Sequence, residues 1–297
     1  MDAIYIIVTA SLFSISCSIL GSFLVLRKMA MVGDAISHAV LPGIVIAFLL
    51  SGTRDSFQMI LGAATLGLIT SFLIEFFHNK ARLQTDAAIG VTFTWLFALG
   101  VILISLFAGQ VDLDQECVLY GEIAYVPLDL WILDDGTIMG PRALYIAAIL
   151  LIIIVAFLFI SYRHLQISTF DKAFARSIGI SVGLWHYLFM GMVSVTTVSA
   201  FDSVGAILVV ALFVVPPATA YLLTRKLKTM LLLSIIFSVL NSVLGYYLAV
   251  YLNGSIAGAI TTVGGITFAL AFLFSPTEGV LIRKWRHQNI KIEKLES

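Results

Sequence analysis

The chain is a succession of long apolar runs cut by short polar connections. A membrane-crossing helix needs about 20 apolar residues. Runs near that length occupy 4–26, 34–50, 57–77, 87–108, 143–161, 184–200, 204–223, 229–251 and 256–274, nine in all. The pattern predicts an all-α polytopic membrane protein with about nine transmembrane helices in one transmembrane domain spanning 1–297. One segment, 168–180, has a different rhythm. Phe170, Phe174 and Ile178 recur every fourth residue, while Asp171, Lys172 and Arg176 take the opposite side. Thr169 is placed to cap its start and Gly179 to end it. These positions predict a short amphipathic helix of about ten residues.

Charge orients the pattern. Lysine and arginine fall at Arg27 and Lys28, at Lys80 and Arg82, at Arg163, Lys172 and Arg176, at Arg225, Lys226 and Lys228, and in the tail from Arg283. These are alternate connections; the others carry only Arg54 and Arg142. Basic connections stay on the cytoplasmic side, so the N-terminus is expected outside and the C-terminal tail, 276–297, inside. The amphipathic segment then lies inside. It either rests flat on the inner leaflet or inserts an aromatic knob into a groove on a cytoplasmic partner. The longest outer connection, 109–140, holds seven acids and no lysine or arginine, a solvated face or a surface for a basic partner.

Composition narrows the class. The chain is 60% hydrophobic and 11% charged, with a net charge of zero, against about 25% charged residues in soluble domains. Only a polytopic membrane protein fits, and nucleic-acid binding has no electrostatic basis. Cys17 and Cys117 lie far apart, which argues against a disulfide framework and removes the thiolate pair that soft metals prefer. The first apolar run has neither a basic start nor a small-residue cleavage site and is read as a retained span. No G-x-x-x-x-G-K-[ST] phosphate loop and no H-E-x-x-H occurs.

Candidate chemistry concentrates in Gly33-Asp34-Ala35-Ile36-Ser37-His38-Ala39-Val40-Leu41-Pro42-Gly43. Asp34 and His38 stand four residues apart, so on a helix they share a face. A carboxylate oxygen and an imidazole nitrogen aimed at one point suit a borderline or hard divalent cation such as Mn²⁺, Fe²⁺ or Zn²⁺. Pro42 lies four residues beyond His38, where a kink in the span is expected, and has no N–H for the His38 carbonyl, a candidate third oxygen. The competing reading is a buried acid–histidine pair that locks two helices. In the seventh run, Pro216-Pro217 frees the carbonyls of Leu212 and Phe213, a break expected where a span lines a pore. Asp202 begins that run as a helix cap or an entrance carboxylate. Glu75 and His78 are placed at the inner interface, and His186 in an inner aromatic belt between Trp185 and Tyr187.

Four blocks, in order, resemble the bacterial ABC-3 permeases, the membrane subunits of ABC importers for manganese, zinc and iron. They are Arg27 to Gly43, Asp86-Ala87-Ala88-Ile89-Gly90, Phe170 to Gly179, and Val204 to Leu212 followed by Pro216-Pro217-Ala218-Thr219-Ala220. The wording from Ser37 to Gly43, with Asp112 to Glu122, is closer to manganese-type members. The resemblance implies a multi-pass permease domain of the bacterial plasma membrane, with no cofactor of its own and no ATPase activity. It implies three kinds of partner: a cytoplasmic subunit that binds ATP, an extracellular metal-binding lipoprotein, and a second permease subunit, identical or not. It implies that Asp34 and His38 line the path of the transported metal, and that Phe170, Asp171, Phe174, Arg176 and Gly179 couple to the ATPase. Two other classes remain: a proton-coupled secondary transporter, which has no need of the knob helix, and an intramembrane hydrolase, which lacks a second acid–base pair.

Overall fold

In lipid the backbone must satisfy its own hydrogen bonds, so each apolar run closes into a helix. A computed structural model describes residues 2–51, 56–107, 123–132, 138–275 and 279. Among them, nine helical segments are long and apolar enough to cross a membrane, as the apolar pattern predicts. The long helices are α1 (Asp2–Leu26), α4 (Ser56–Lys80), α5 (Thr85–Phe107), α6 (Arg142–Phe170), α8 (Val182–Val204), α9 (Ala206–Leu223), α10 (Leu227–Leu252) and α11 (Ile256–Phe274). The remaining span is made of two pieces, α2 (Val32–Ala39) and α3 (Leu41–Ser51). The short helix α7 (Lys172–Ser177) follows α6.

The apolar run over 34–50 forms two helices, and the break at Val40 falls beside Pro42, where a kink is expected. Pro42 is the cause: it cannot donate to the His38 carbonyl, and the amides of Gly43 and Ile44 both turn to Val40 O, at 2.9 and 3.1 Å. The polar cluster after residue 161 does not end α6, which continues to Phe170 with Ser161, Leu165 and Ser168 buried along one face. The described part of the outer connection holds a 3-10 turn (Ile123–Leu128) and a small antiparallel hairpin, β1 (Leu130–Ile132) with β2 (Ile138–Pro141). Asp112, Asp114, Glu116, Cys117, Glu122, Asp134, Asp135 and the tail beyond Gly279 lie outside the described residues.

The core is built around α1, which packs against α6, α8, α9 and α10. Phe13, Cys17, Leu20, Phe23 and Leu24 are fully buried there. Two of its buried serines join it to α10, Ser22 through its hydroxyl and Ser14 through its carbonyl. Ser22 Oγ donates to Ser18 O (2.8 Å) and meets Ser234 Oγ at 3.3 Å, and Ser238 Oγ donates to Ser14 O at 3.2 Å. Gly43 and Gly62 bring α3 and α4 so close that a Cβ on either would strike the other's carbonyl. A second group, α2 to α5 with α8, packs beside α1 and carries the acid–histidine pair.

Candidate functional site

Helix α2 buries Val32, Gly33, Ala35, Ile36, Ser37 and Ala39, and so presents only Asp34 and His38. Asp34 stands in the first turn and His38 in the last. Asp34 Oδ1 lies 3.5 Å from His38 Nε2, with 30% and 34% of the side chains exposed, so neither is sealed inside the chain. The helix is seated from behind: the Phe213 ring of α9 lies against Gly33, where a Cβ would sit 3.3 Å from Cδ2. Ser37 Oγ closes onto Gly33 O at 2.9 Å. From α5, the rings of Phe93 and Phe97 stand 6.1 and 5.9 Å from the His38 imidazole and restrict its swing. Gly100 of the same helix meets Pro42; a Cβ there would lie 2.9 Å from Cδ and 3.0 Å from the ring nitrogen.

This pair supplies one oxygen and one nitrogen. Among the described residues, no three His, Cys, Asp or Glu side chains come together as a metal-binding group. Four to six ligands are usual for Zn²⁺ or Mn²⁺, so the remainder must come from backbone oxygens, water or another chain.

The second expected element, over 168–180, forms with altered boundaries. Phe170 ends α6, and α7 has six residues, fewer than the ten expected. Its cap is Asp171, not Thr169: the carboxylate accepts the Phe174 amide at 2.9 Å. Gly179 ends the segment as expected, with a φ of +83° that favours glycine. Phe170, Phe174 and Ile178 remain exposed, while Ala175 is buried. The exposed row faces away from the chain's own core. Arg176 lines a cavity of about 340 Å³ with Lys172.

Thr169 is engaged elsewhere, in a cluster that local spacing does not reveal. Arg27, just after α1, donates from Nε to Thr169 Oγ1 (3.0 Å) and from Nη2 to Ser168 Oγ (3.3 Å). Its Nη1 reaches His186 Nδ1 at 3.5 Å, and its guanidinium sits 4.6 Å above the Phe189 ring. Arginine only donates, so the His186 Nδ1 accepts and the ring's proton sits on Nε2, which faces Glu75 Oε2 at 3.3 Å. Burial lowers Arg27 to about 10, and it stays protonated at neutral pH. His186, expected in an aromatic belt, and Glu75, expected at the interface, thus meet as a neutral ring and an acid across α8 and α4. The signal in the sequence was the charged residues at three apolar-run ends, with nothing to say that they converge.

Pro216 and Pro217 are buried within α9, which continues through them as one helix and not as the expected break. The Phe213 carbonyl freed by Pro217 lies against α1 at Gly21, where a Cβ would also come within 3.0 Å of the Pro217 ring. Asp202 falls in the last turn of α8 and does not cap α9. The cap position belongs to Gly205, at φ +79°, without a side-chain bond.

Comparison with known proteins covers nearly the whole chain. The family model described as ABC 3 transport family matches residues 3–275. The manganese transport system membrane protein MntD of Bacillus subtilis is 49% identical over 290 residues, 98% of this chain and 98% of that one. The zinc transport system membrane protein TroD of Treponema pallidum is 43% identical over 283 residues, 94% of this chain and 75% of that one. Among solved structures, PsaBC from Streptococcus pneumoniae in complex with Fab matches with a TM-score of 0.75 at 32% identity, over 94% of each chain.

Proposed function

Because this chain belongs to the ABC 3 transport family, we propose that it is the permease subunit of an ATP-driven importer of divalent metal, with manganese as its main cargo. It sits in the bacterial plasma membrane with its N-terminus outside. The observation that carries the reading is α2, whose exposed side chains are one carboxylate and one imidazole, 3.5 Å apart on a helix that breaks two turns after Asp34. A zinc-transport relative at 43% identity keeps zinc as the alternative cargo, and an iron-transport relative keeps iron.

The chemistry follows from the donor set. A cation entering from outside meets Asp34 as the charged ligand and a neutral His38 as the second; a proton on His38 would compete with it. The His38 carbonyl, denied a donor by Pro42, offers a third oxygen. Two side-chain ligands make an incomplete shell, so a second permease subunit places an equivalent pair opposite the first. Asp202 guards the outer entrance, and the Pro216-Pro217 stretch of α9 shapes the path behind α2. Energy comes from outside the chain. A cytoplasmic ATP-binding subunit receives the exposed Phe174 and Phe170, with Asp171, Arg176 and Gly179 fixing the shape of α7. A metal-binding lipoprotein delivers the cargo.

The test is uptake of Mn²⁺, Zn²⁺ and Fe²⁺ in cells that lack this chain and in the same cells supplied with it. ATP-dependent Mn²⁺ accumulation restored by the chain is the expected result. Equal accumulation with and without the chain for all three metals would end the proposal.

A further inference from the structure

Arg27 joins two parts of the molecule that the proposed function needs to move together. It opens the five-residue turn, 27–31, that leads from α1 into α2 and the Asp34–His38 pair. Its guanidinium crosses to the last turn of α6, onto Ser168 and Thr169. Two residues beyond Thr169 is Asp171, the cap of α7. The turn itself is held firmly to α1: Lys28 N donates to Val25 O at 3.1 Å and Met29 N to Leu24 O at 2.9 Å. Between turn and α7 lies a cavity of about 340 Å³, lined by Arg27, Lys28 and Met29 on one side and by Lys172 and Arg176 on the other. The two described hydrogen bonds between the turn and the 168–177 segment are both Arg27's. The guanidinium is mostly buried between Phe189 and His186, so water does not readily replace those bonds.

Resting on the permease reading above, we propose that Arg27 is a positioning residue for coupled transport. It transmits the position of the α6–α7 segment, set by the ATPase, to the turn that carries the metal pair. Ser168 and Thr169 are its receivers, and His186 with Glu75 fixes the third edge of the guanidinium from α8 and α4. Charge alone is insufficient for this role, because the three contacts use a planar fork of donors that lysine lacks.

The test uses the whole importer, reconstituted in vesicles with its ATPase and binding lipoprotein, and reads Mn²⁺ uptake and ATP hydrolysis together. The informative variant is Ser168→Ala with Thr169→Val, which keeps Arg27 and its His186 contact and removes the two acceptors on α6. ATP hydrolysis should persist while Mn²⁺ moved per ATP falls about tenfold, the scale of a lost charge-assisted hydrogen bond. Arg27→Lys should behave alike. Hydrogen exchange of residues 168–177 should rise in both variants, a readout that does not depend on the cargo. An unchanged ratio of Mn²⁺ to ATP in the double variant, or unchanged exchange, overturns the inference. A parallel fall of uptake and hydrolysis also overturns it, since that is loss of assembly. A wild-type importer that hydrolyses ATP but moves no metal overturns the permease reading itself, whatever the exchange result.

Discussion

Asp34 is an ionisable side chain in an apolar span, where a charge at the membrane centre costs about 2.5–3.5 kcal/mol on insertion. Asparagine would keep the shape without that cost, and a cation site is the proposed reason for a carboxylate here. The residues around it give separate predictions. Pro42→Ala restores an amide donor for the His38 carbonyl and straightens the break at Val40; uptake should fall only partly, because both side-chain ligands remain. Gly100→Val should be harsher, since even a Cβ at Gly100 approaches Pro42 to 2.9 Å. Overpacking of that kind costs about 1–3 kcal/mol, readable as a lower thermal midpoint in detergent together with lost uptake. The Asp34–His38 pair was legible in the sequence because i and i+4 on one helix is a local relation. The Glu75–His186–Arg27 cluster was not: Arg27 and His186 are 159 residues apart, and only packing of α1, α4 and α8 brings them together.

Helix α7 shows where local rules carry an element and where they stop. The apolar spacing of Phe170, Phe174 and Ile178 and the terminating Gly179 were readable as a pattern. The cap was misplaced because two polar residues, Thr169 and Asp171, both fit the start. The choice between them is made by Arg27, which takes Thr169. Asp171→Ala should therefore cost about 1 kcal/mol at this helix, seen as faster hydrogen exchange at Phe174 with the spans intact. Phe174→Ala leaves the chain's own core untouched, since the ring is 53% exposed. If the ring fills a groove on the ATPase, its loss should weaken that association by roughly 2–4 kcal/mol, the range of an interface hot spot. A pull-down from solubilised membranes measures it, and undiminished capture would leave Phe174 as a membrane-surface residue. The end of α6 was harder to read for a related reason. A run of polar residues from Ser161 reads as an exit from the membrane, yet a helix continues in water when one face stays buried.

At the scale of the molecule, nine apolar runs became nine candidate spans among the described residues, because length and composition suffice to define each one. Their order in space was not readable, since most runs are apolar all round and the burial of α1 is visible only in the packed structure. Orientation remains a matter of the charge pattern. In a background with Cys17→Ala and Cys117→Ala, a cysteine at Gly254 should react with an impermeant label on intact cells, and one at Lys226 only after permeabilisation. The reverse at both positions would invert the topology. The account as a whole stands on α2 as the place where the metal passes. The most direct measurement is Mn²⁺ uptake by the Asp34→Asn, His38→Ala double variant, in cells where its membrane level and its capture of the ATPase are checked alongside. The account predicts wild-type assembly with uptake reduced to the level of cells lacking the chain. Near-normal uptake by the assembled double variant would contradict it and make the pair a structural contact.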